Sequence, residues 1–205
     1  METRDFGFFA ILDRMQYINR WGLMRNNKTE NIKEHSFDVA IIAHALAFLH
    51  NKLADGSDAI KIDPIRVQSY ALYHDCTEII TGDLPTPIKY RNEIITSAYK
   101  DVENEAALTL SKLLPEFMQD EYLDLLSPKM ETEEEILTHR LVKAADRISA
   151  YLKCVMEEGT GNREFISAKE TIKESIDKIG LPEVDYFMNR FVPSYGMTLD
   201  QITKN

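Results

Sequence analysis

The chain has 205 residues, of which 44% are hydrophobic and 28% are charged, and its formal net charge is −10. These values predict one globular domain over residues 1–205 and exclude a basic protein that binds nucleic acid polymers. The longest apolar run, residues 39–49, is too short to cross a bilayer, so no membrane association is expected. Cys76 and Cys154 lack redox or metal-binding spacing and the N-terminus lacks a secretory signal, which predicts a reduced, cytoplasmic protein.

Helical spacing of apolar residues dominates the first half of the chain. Helices are predicted over residues 5–18, 33–51 and 63–80, the second after a polar cap at Asn31 and the third after Asp63. The segment TGDLPTPI at residues 81–88 contains one glycine and two prolines, which argue against a regular helix. It is therefore predicted to be a loop.

The second half of the chain is predicted to be helical as well. Thr132 and Glu135 have the spacing of a capping box and begin a long helix that ends near Gly159. Gly180 is placed to end another helix, and the residues after Pro193 are expected to be loosely attached. Further helices are predicted over residues 90–114, 115–126, 162–179 and 182–191. Together these elements predict an all-α fold, a single helical bundle.

Two histidines and two aspartates lie among apolar residues at helical spacing: His35, His74, Asp75 and Asp146. An aspartate buried on an apolar helix face is unstable unless it is paired or binds a metal. Two imidazoles and two carboxylates suit one divalent ion such as Mn, Co, Fe, Ni or Zn and leave room for water and substrate. We therefore predict a catalytic metal site between the central helices. Ordinary hydrogen-bonded core histidines are the alternative.

The segment between Arg14 and Lys33 carries a local excess of positive charge. It contains five basic residues and one acidic residue, Glu30. Within an acidic chain such a segment could receive a small anion, although a solvated basic loop would have the same composition.

Three segments resemble the HD-domain metal-dependent phosphohydrolase superfamily, and within it the bacterial 5′-deoxynucleotidases. They are NRWGLMRNNKTENIKEHS at 19–36, YHDCTEIITGDLPTPIKY at 73–90 and KAADRISAY at 143–151. The first two are specific to the 5′-deoxynucleotidases, whereas the bare His-Asp pattern is not. The resemblance implies an HD-type bundle that hydrolyses deoxyribonucleoside 5′-monophosphates to deoxyribonucleoside and phosphate. It also implies little choice among bases, selection against ribonucleotides, and a homodimer.

The resemblance further implies individual roles in binding. The metal, Co, Mn or a similar transition metal, would be bound by His35, His74, Asp75 and Asp146. Arg20 would orient the phosphate, and Trp21 would pack on the sugar, where its bulk near the 2′ position would exclude a ribose hydroxyl. The remaining substrate contacts would come from Asp83, Leu84, Pro85 and Thr86, together with the metal ligands Asp75 and Asp146.

Glu78 and Asp83 are implied as the catalytic carboxylates. Glu78 follows His74 by four residues, so in a continuous helix both side chains would project from one face and Glu78 could reach a water on the metal. Asp83 follows Gly82 in the proline-rich loop and could face the leaving O5′. We expect Glu78 to be the base and Asp83 the acid, and the sequence leaves the reverse assignment open.

Two other functions fit parts of the pattern. One is an HD hydrolase of nucleoside triphosphates, cyclic diesters or alarmones, which the Arg20-Trp21 pair and the DLPTP loop disfavour. The other is a non-catalytic helical protein in which a metal only holds the bundle together. Glu78 and Asp83 disfavour this second function, because such a protein needs neither acid.

Overall fold

The structure is a computed structural model that describes residues 5–54, 59–89 and 91–204, with the backbone alone at Thr86 and Pro87. The described α-helices are α1 Phe8–Leu12, α2 Ile32–Leu53, α3 Pro64–Tyr73, α4 Glu78–Thr81, α5 Thr86–Lys89, α6 Glu93–Ser111, α7 Glu116–Leu126, α8 Glu133–Gly159, α9 Ile166–Asp177, α10 Pro182–Arg190 and α11 Leu199–Ile202. Short 3-10 helices lie at Asp13–Tyr17, Arg163–Phe165 and Val192–Gly196. Within the described ranges no β-strand forms, and extended pairing is limited to a bridge between Asn19 and Asn31. The all-α prediction is confirmed.

The chain divides into two compact units. The first comprises the described residues of Met1–Gly22, Thr29–Ser36 and Leu72–Lys129. The second comprises those of Leu23–Lys28, Phe37–Ala71 and Met130–Asn205. Helix α2 begins in the first unit and continues into the second. The organisation of residues 1–205 as a single domain stays a prediction.

The core of the first unit is built from α1, the start of α2, and helices α6 and α7. Its buried side chains are Phe8, Met15, Ile32, Cys76, Ala107, Leu110, Leu114 and Leu126. Tyr122 packs edge-on against Phe8, with ring centroids 5.1 Å apart. Because Ile32 lies one turn before His35 and Cys76 directly follows Asp75, this core fixes the backbone of two predicted metal ligands.

Helix α8 is the central element of the second unit. Its first turn forms the predicted capping box: the Glu135 N–H donates to Thr132 Oγ1 at 3.2 Å, and the Thr132 N–H donates to Glu135 Oε2 at 2.9 Å. Leu141 and Ile148, two turns apart, are both fully buried, and α9 packs along the helix. The predicted helix-ending glycine, Gly180, has φ of +65°, which glycine adopts without steric penalty.

The helix predicted over residues 63–80 is broken. Helix α3 ends at Tyr73 and α4 begins at Glu78. Between them the N–H groups of Cys76 and Glu78 donate to carbonyl oxygens three residues earlier, at 3.1 and 3.0 Å. This tight spacing turns the chain instead of continuing an α-helix. His74 and Asp75 therefore lie in a turn, and the prediction that they lie within a helix was wrong.

Two predicted irregular segments contain helical structure. The 81–88 loop includes the single-turn helix α5, where the Lys89 N–H donates to the Pro85 carbonyl at 3.1 Å. Prolines at the start of a helix lack only an N–H that would have no partner there. The prediction of a loosely attached tail after Pro193 was wrong for its first residues, because Val192–Gly196 packs against α8 and α10. Residues 197–204, which include α11, are all exposed. No described helix combines the length and the apolar character that a membrane span requires.

Candidate active site

His35, His74 and Asp75 converge in the first unit. One potential ligand atom from each residue lies within 4.8 Å of the other two. Asp75 Oδ1 lies 3.2 Å from His74 Nε2, and Asp75 Oδ2 lies 3.6 Å from His35 Nε2. The two imidazole centroids are 5.3 Å apart. Three of the four predicted metal ligands thus form one cluster, although His35 lies 39 positions before His74 in the sequence.

Local structure explains why the three side chains meet. His35 is fully buried in the first turn of α2, where its N–H donates to the Asn31 carbonyl at 3.1 Å. The Asn31 side chain caps the helix by accepting the Glu34 N–H at 3.0 Å. Consecutive residues of an α-helix would point about 100° apart. The turn after Tyr73 removes that separation, so both His74 and Asp75 direct their ligand atoms at one point.

The distances and the donor types of the cluster fit a divalent transition metal. Two ligands that each lie about 2.1 Å from an ion, at 90–110° to one another, are roughly 3.0–3.4 Å apart. The observed separations of 3.2 and 3.6 Å need little adjustment to meet that geometry. Imidazole and carboxylate ligands together favour ions of the Mn to Zn series over Ca.

Asp146, the fourth predicted ligand, lies on α8 in the second unit. Its side chain is half-buried, on a helix whose neighbouring residues Ala144 and Ala145 are fully buried. The helical placement that the sequence predicted is therefore correct. Its part in metal or substrate binding stays a prediction.

Arg20 contacts the cluster from the side of His35. Its Nη1 lies 2.8 Å from His35 Nδ1 and 2.9 Å from Glu30 Oε2, and the side chain is 14% exposed. A guanidinium can only donate hydrogen bonds, so His35 Nδ1 is the acceptor and a neutral His35 carries its ring proton on Nε2, which faces Asp75. That proton must leave before Nε2 can bind a metal. A planar cation thus lies beside a predicted metal ligand, where it could also bind the oxygens of a phosphate.

Trp21 lies next to Arg20 and shares its acidic partner. The indole Nε1 donates to Glu30 Oε2 at 3.0 Å, and the Arg20 guanidinium carbon lies 5.7 Å from the indole centroid. Glu30 is buried, with 8% of its surface exposed. The sequence analysis gave Glu30 no role. Glu30 is nevertheless the one acidic residue between Arg14 and Lys33, and this isolated acid could have indicated a partner for one of the basic side chains.

The rest of the basic segment is less available to an anion than its composition suggested. Arg25 donates to Glu164 Oε2 at 2.7 Å, within the second unit. Lys33 pairs with Asp13 at 2.6 Å, within the first. Both charges are thus compensated by acids, and Arg20 is the basic residue of this segment that contacts the His-Asp cluster.

Glu78 is a buried acid at the beginning of α4. Burial, followed by the nearby charges of Asp75 and Asp83, raises its pKa to about 9, against the smaller lowering effects of Lys89 and Arg20. Its Oε2 has no hydrogen-bond partner within the described parts of the chain. A carboxyl group without a fixed donor, beside the metal cluster, can exchange a proton with a water or substrate.

Asp83 is the second acid near the cluster. Gly82 has φ of +72° and turns the chain out of α4, which places Asp83 at the start of the proline-rich segment. Burial raises the pKa of Asp83, and Asp75 raises it too, whereas Arg20, His35 and Lys89 lower it. The charges that act on Asp83 thus include two of the three clustered ligands.

The remaining predicted pocket residues follow Asp83 directly. Leu84 and Pro85 are half-buried, and the side chain of Thr86 lies outside the described residues. Lys89, which sequence reasoning missed, lowers the pKa of both Glu78 and Asp83. It lies 4.5 Å from the Tyr99 ring centroid, and its Nζ is 2.6 Å from Glu103 Oε1.

Solved structures share this fold over nearly the whole chain. An HD-domain phosphohydrolase from Listeria innocua superposes with a TM-score of 0.75 at 22% identity, covering 96% of this chain and 95% of that one. A cyanophage S-2L HD phosphohydrolase, bound to dA and one catalytic Zn²⁺ ion, superposes with a TM-score of 0.63 at 17% identity, covering 95% and 98%. The fold is that of the HD-domain phosphohydrolases.

Sequence relatives narrow this class. The family model described as 5′-deoxynucleotidase YfbR-like matches residues 7–195. A 5′-deoxynucleotidase of Cronobacter sakazakii is 45% identical over 198 residues, covering 97% of this chain and 96% of that protein. One of Yersinia pestis is 46% identical over 196 residues, covering 96% of both. The chain belongs to the YfbR-like 5′-deoxynucleotidase family, and it is accordingly an enzyme, a nucleotide phosphohydrolase.

Proposed function

We propose that this enzyme is a metal-dependent phosphomonoesterase that hydrolyses deoxyribonucleoside 5′-monophosphates, with little base preference and with selection against ribonucleotides. The observation that carries the proposal is the His35-His74-Asp75 cluster, flanked by Arg20 on one side and by the acids Glu78 and Asp83. The names of the two curated relatives support the substrate class. The deoxynucleoside in the cyanophage structure supports a deoxyribose ligand.

The three clustered residues, with Asp146, would hold one divalent transition metal, Co, Mn or a similar ion. When bound, such an ion supplies a water of lowered pKa and polarises the phosphoryl oxygen. Arg20 would bind two phosphate oxygens with its planar fork and so orient the phosphorus for in-line attack. Lys89 adds positive charge near both acids, which offsets the repulsion between them and a substrate dianion.

Glu78 and Asp83 would move the protons. A base must be ionised before it can accept a proton, and burial beside Asp75 keeps Glu78 protonated at neutral pH in the metal-free protein. Positive charge at the cluster lowers the pKa of Glu78, so Glu78 as base would be competent only in the metal-loaded enzyme. Asp83, whose pKa is raised as well, would carry the proton for the leaving O5′.

Selection for deoxyribose would come from Trp21. Its ring is fixed beside Arg20, so the position of the phosphate also determines where the sugar meets the indole. A 2′-hydroxyl would then face an apolar ring that offers it no hydrogen-bond partner. The pocket residues Leu84 and Pro85 offer apolar side chains to the base, consistent with weak base preference.

A phosphate-release panel tests the proposal. The protein is treated with chelator, reloaded with Mn or Co, and assayed on dAMP, dTMP, AMP, dATP and a bis-phosphodiester. Release confined to the two deoxy monophosphates supports the proposal, and release from dATP or the diester assigns the enzyme to another HD hydrolase class. Trp21→Ala should narrow the gap between dAMP and AMP, and equal discrimination in the variant would contradict the role of Trp21.

We also propose that the chain acts as a cytoplasmic homodimer through the region of α6 and α7. Ile94 and Phe117 on these helices are 81% and 87% exposed, which is unusual for large apolar side chains and supports a covered surface. Light scattering on the wild type and on the Ile94→Lys, Phe117→Lys double variant tests this. A monomeric wild type would contradict it.

A further inference from the structure

Trp21 is held in an uncommon backbone conformation. Its φ of +60° makes it the one described non-glycine residue in the left-handed region. For a bulky side chain this region is strained relative to ordinary backbone, and such strain persists only where surrounding contacts enforce it. The contacts that hold Trp21 in place must therefore be specific and close.

Those contacts converge on Glu30. One carboxylate oxygen, Oε2, accepts the Trp21 indole N–H at 3.0 Å and the Arg20 Nη1 at 2.9 Å. The backbone carbonyl of the same residue accepts the Arg20 N–H at 2.9 Å, next to the bridge between Asn19 and Asn31. Glu30 thus fixes the main chain of Arg20 and both neighbouring side chains at once.

The geometry also links Glu30 to the metal cluster. Arg20 Nη1 lies between Glu30 Oε2 and His35 Nδ1, at 2.9 and 2.8 Å. The proposed phosphate-binding cation is thus held between one acid and one metal ligand. A buried acid that served only to neutralise Arg20 would not also need to accept the indole N–H, which carries no charge.

We infer that Glu30 is a positioning residue that sets the orientation of Trp21 relative to Arg20 and thereby the discrimination between deoxyribose and ribose. The inference rests on the proposed function for its substrate. Removing the Glu30 carboxylate takes away the hydrogen-bond acceptor that holds the Trp21 indole in place. Arg20 keeps its contact with His35. The sugar would then lose its fixed apolar neighbour while the phosphate kept its cation.

The test uses Glu30→Gln, which keeps the volume and one acceptor oxygen, and Glu30→Leu, which removes the side-chain acceptors. The control is Asp13→Asn, which breaks the ion pair with Lys33 on the surface of the same unit. Trp21 is the single tryptophan of the chain, so its fluorescence reports on this position without any assay of activity. Acrylamide quenching and the emission maximum are compared in the folded proteins, together with kcat and KM for dAMP and AMP.

We expect Glu30→Leu to show increased quenching and a shifted emission maximum, whereas Asp13→Asn matches the wild type. Glu30→Gln should show a smaller change, because its amide oxygen can still accept the indole N–H. The ratio of kcat/KM for dAMP over AMP should fall roughly tenfold, the equivalent of one charged hydrogen bond. The fall should arise mainly from a gain in kcat/KM for AMP, because the released ring no longer excludes the 2′-hydroxyl. If Glu30→Leu does not fold, Glu30→Met decides the question, because methionine has nearly the length of glutamate and offers no oxygen acceptor.

Two results would overturn the inference. One is a spectrum and a dAMP to AMP ratio that match the wild type in the folded variants. The other is an equal loss of activity on both substrates with an unchanged spectrum, which would mean that Glu30 only neutralises Arg20. If the wild type hydrolyses no deoxy monophosphate, the proposed function fails, and fluorescence alone still shows whether Glu30 holds Trp21.

Discussion

Two buried glutamates, one in each unit, have opposite proton affinities. Glu78 of the first unit is 7% exposed, and burial, followed by the charges of Asp75 and Asp83, raises its pKa to about 9. Glu157 of the second unit is 2% exposed, and burial raises its pKa too, but hydrogen bonds from Lys153 and other donors lower it to about 2. At Glu157 the hydrogen-bond donors outweigh the effect of burial, whereas Oε2 of Glu78 has no such donor within the described residues.

The donors around Glu157 form a closed set. The Lys153 ammonium lies 2.5 Å from Oε1, and the Asn162 amide donates to Oε2 at 2.7 Å. The N–H groups of Asn27 and Lys28 donate at 2.9 and 3.1 Å, and Lys153 also donates to the Lys28 carbonyl. This arrangement fixes the segment Leu23–Lys28 to α8. The second unit thus uses its buried acid for stability, whereas the first keeps an acid available for chemistry.

The largest expected effect is on catalysis at Glu78. Glu78→Gln should reduce kcat by roughly 10²–10⁴-fold, because the amide cannot exchange the proton. The fold should not be weakened, since glutamine has the shape of the protonated acid and, unlike glutamate, needs no proton to be buried. The measurement is steady-state hydrolysis of dAMP together with urea unfolding. Glu116→Gln, an exposed position on α7, is the control and should leave both unchanged.

The pH dependence of the same variant sharpens the comparison. The folded pKa of Glu78, about 9, lies above its ordinary value of 4.5. The stability that Glu78 contributes is therefore fully present below pH 4.5 and is lost as pH rises towards 9. Metal-free Glu78→Gln should gain stability relative to the wild type across this window. A constant difference in urea midpoint from pH 5 to 9 would contradict the shift.

Glu157→Gln should instead destabilise the protein. Removing one partner leaves the Lys153 charge buried, which typically costs about 3–5 kcal/mol in unfolding free energy. The folded pKa of about 2 lies below 4.5, so this contribution is present above pH 4.5 and is lost as pH falls towards 2. Urea unfolding of both proteins between pH 7 and 2.5 should show the gap closing.

The neighbouring residue provides the control for that variant. Glu158 pairs with Lys169, but its side chain is 41% exposed. Glu158→Gln should change the unfolding free energy by less than about 1 kcal/mol, as exposed pairs generally do. If Glu158→Gln matched Glu157→Gln, the closed donor set would have no special role.

The smallest expected effects come from one helix cap in each unit. Asn92 caps α6 in the first unit by accepting the Ile95 N–H at 2.9 Å, and Thr132 caps α8 in the second. Asn92→Ala and Thr132→Ala should each cost about 1 kcal/mol. If residues 1–205 fold as one domain, Trp21 fluorescence should report both losses in a single unfolding transition. A loss from Thr132→Ala that circular dichroism detects and fluorescence does not would show that the units unfold separately.

Sequence reasoning succeeded where the signal is local. The capping box at Thr132 and the glycine at Gly180 were predictable because caps depend on residues a few positions apart. The grouping of His35 with His74 and Asp75 was predictable from chemistry, since a buried aspartate needs partners. The turn after Tyr73 was not predictable, because residues 74–77 contain no glycine or proline and the apolar spacing continues through them.

The functions of Glu30 and Glu157 were hidden for a different reason. The partners of Glu30 are nine and ten residues away and meet it only because the chain pairs Asn19 with Asn31. Lys153 and Glu157 have ordinary helical spacing, which usually marks a solvent-exposed pair. The pair is buried because the segment Leu23–Lys28 packs over it, and the spacing of residues along α8 cannot show that a distant segment packs there.

The two cysteines are distributed one to each unit, Cys76 in the first and Cys154 in the second, and both are buried. Burial raises the pKa of Cys76, so its thiol stays protonated and unreactive while the core around Met15 is closed. An alkylating reagent can therefore reach each sulfur only when its own unit opens. Mass spectrometry of the modified peptides after timed exposure to iodoacetamide would give a separate opening rate for each unit. The wild-type protein suffices for this experiment, because each unit already contains one cysteine.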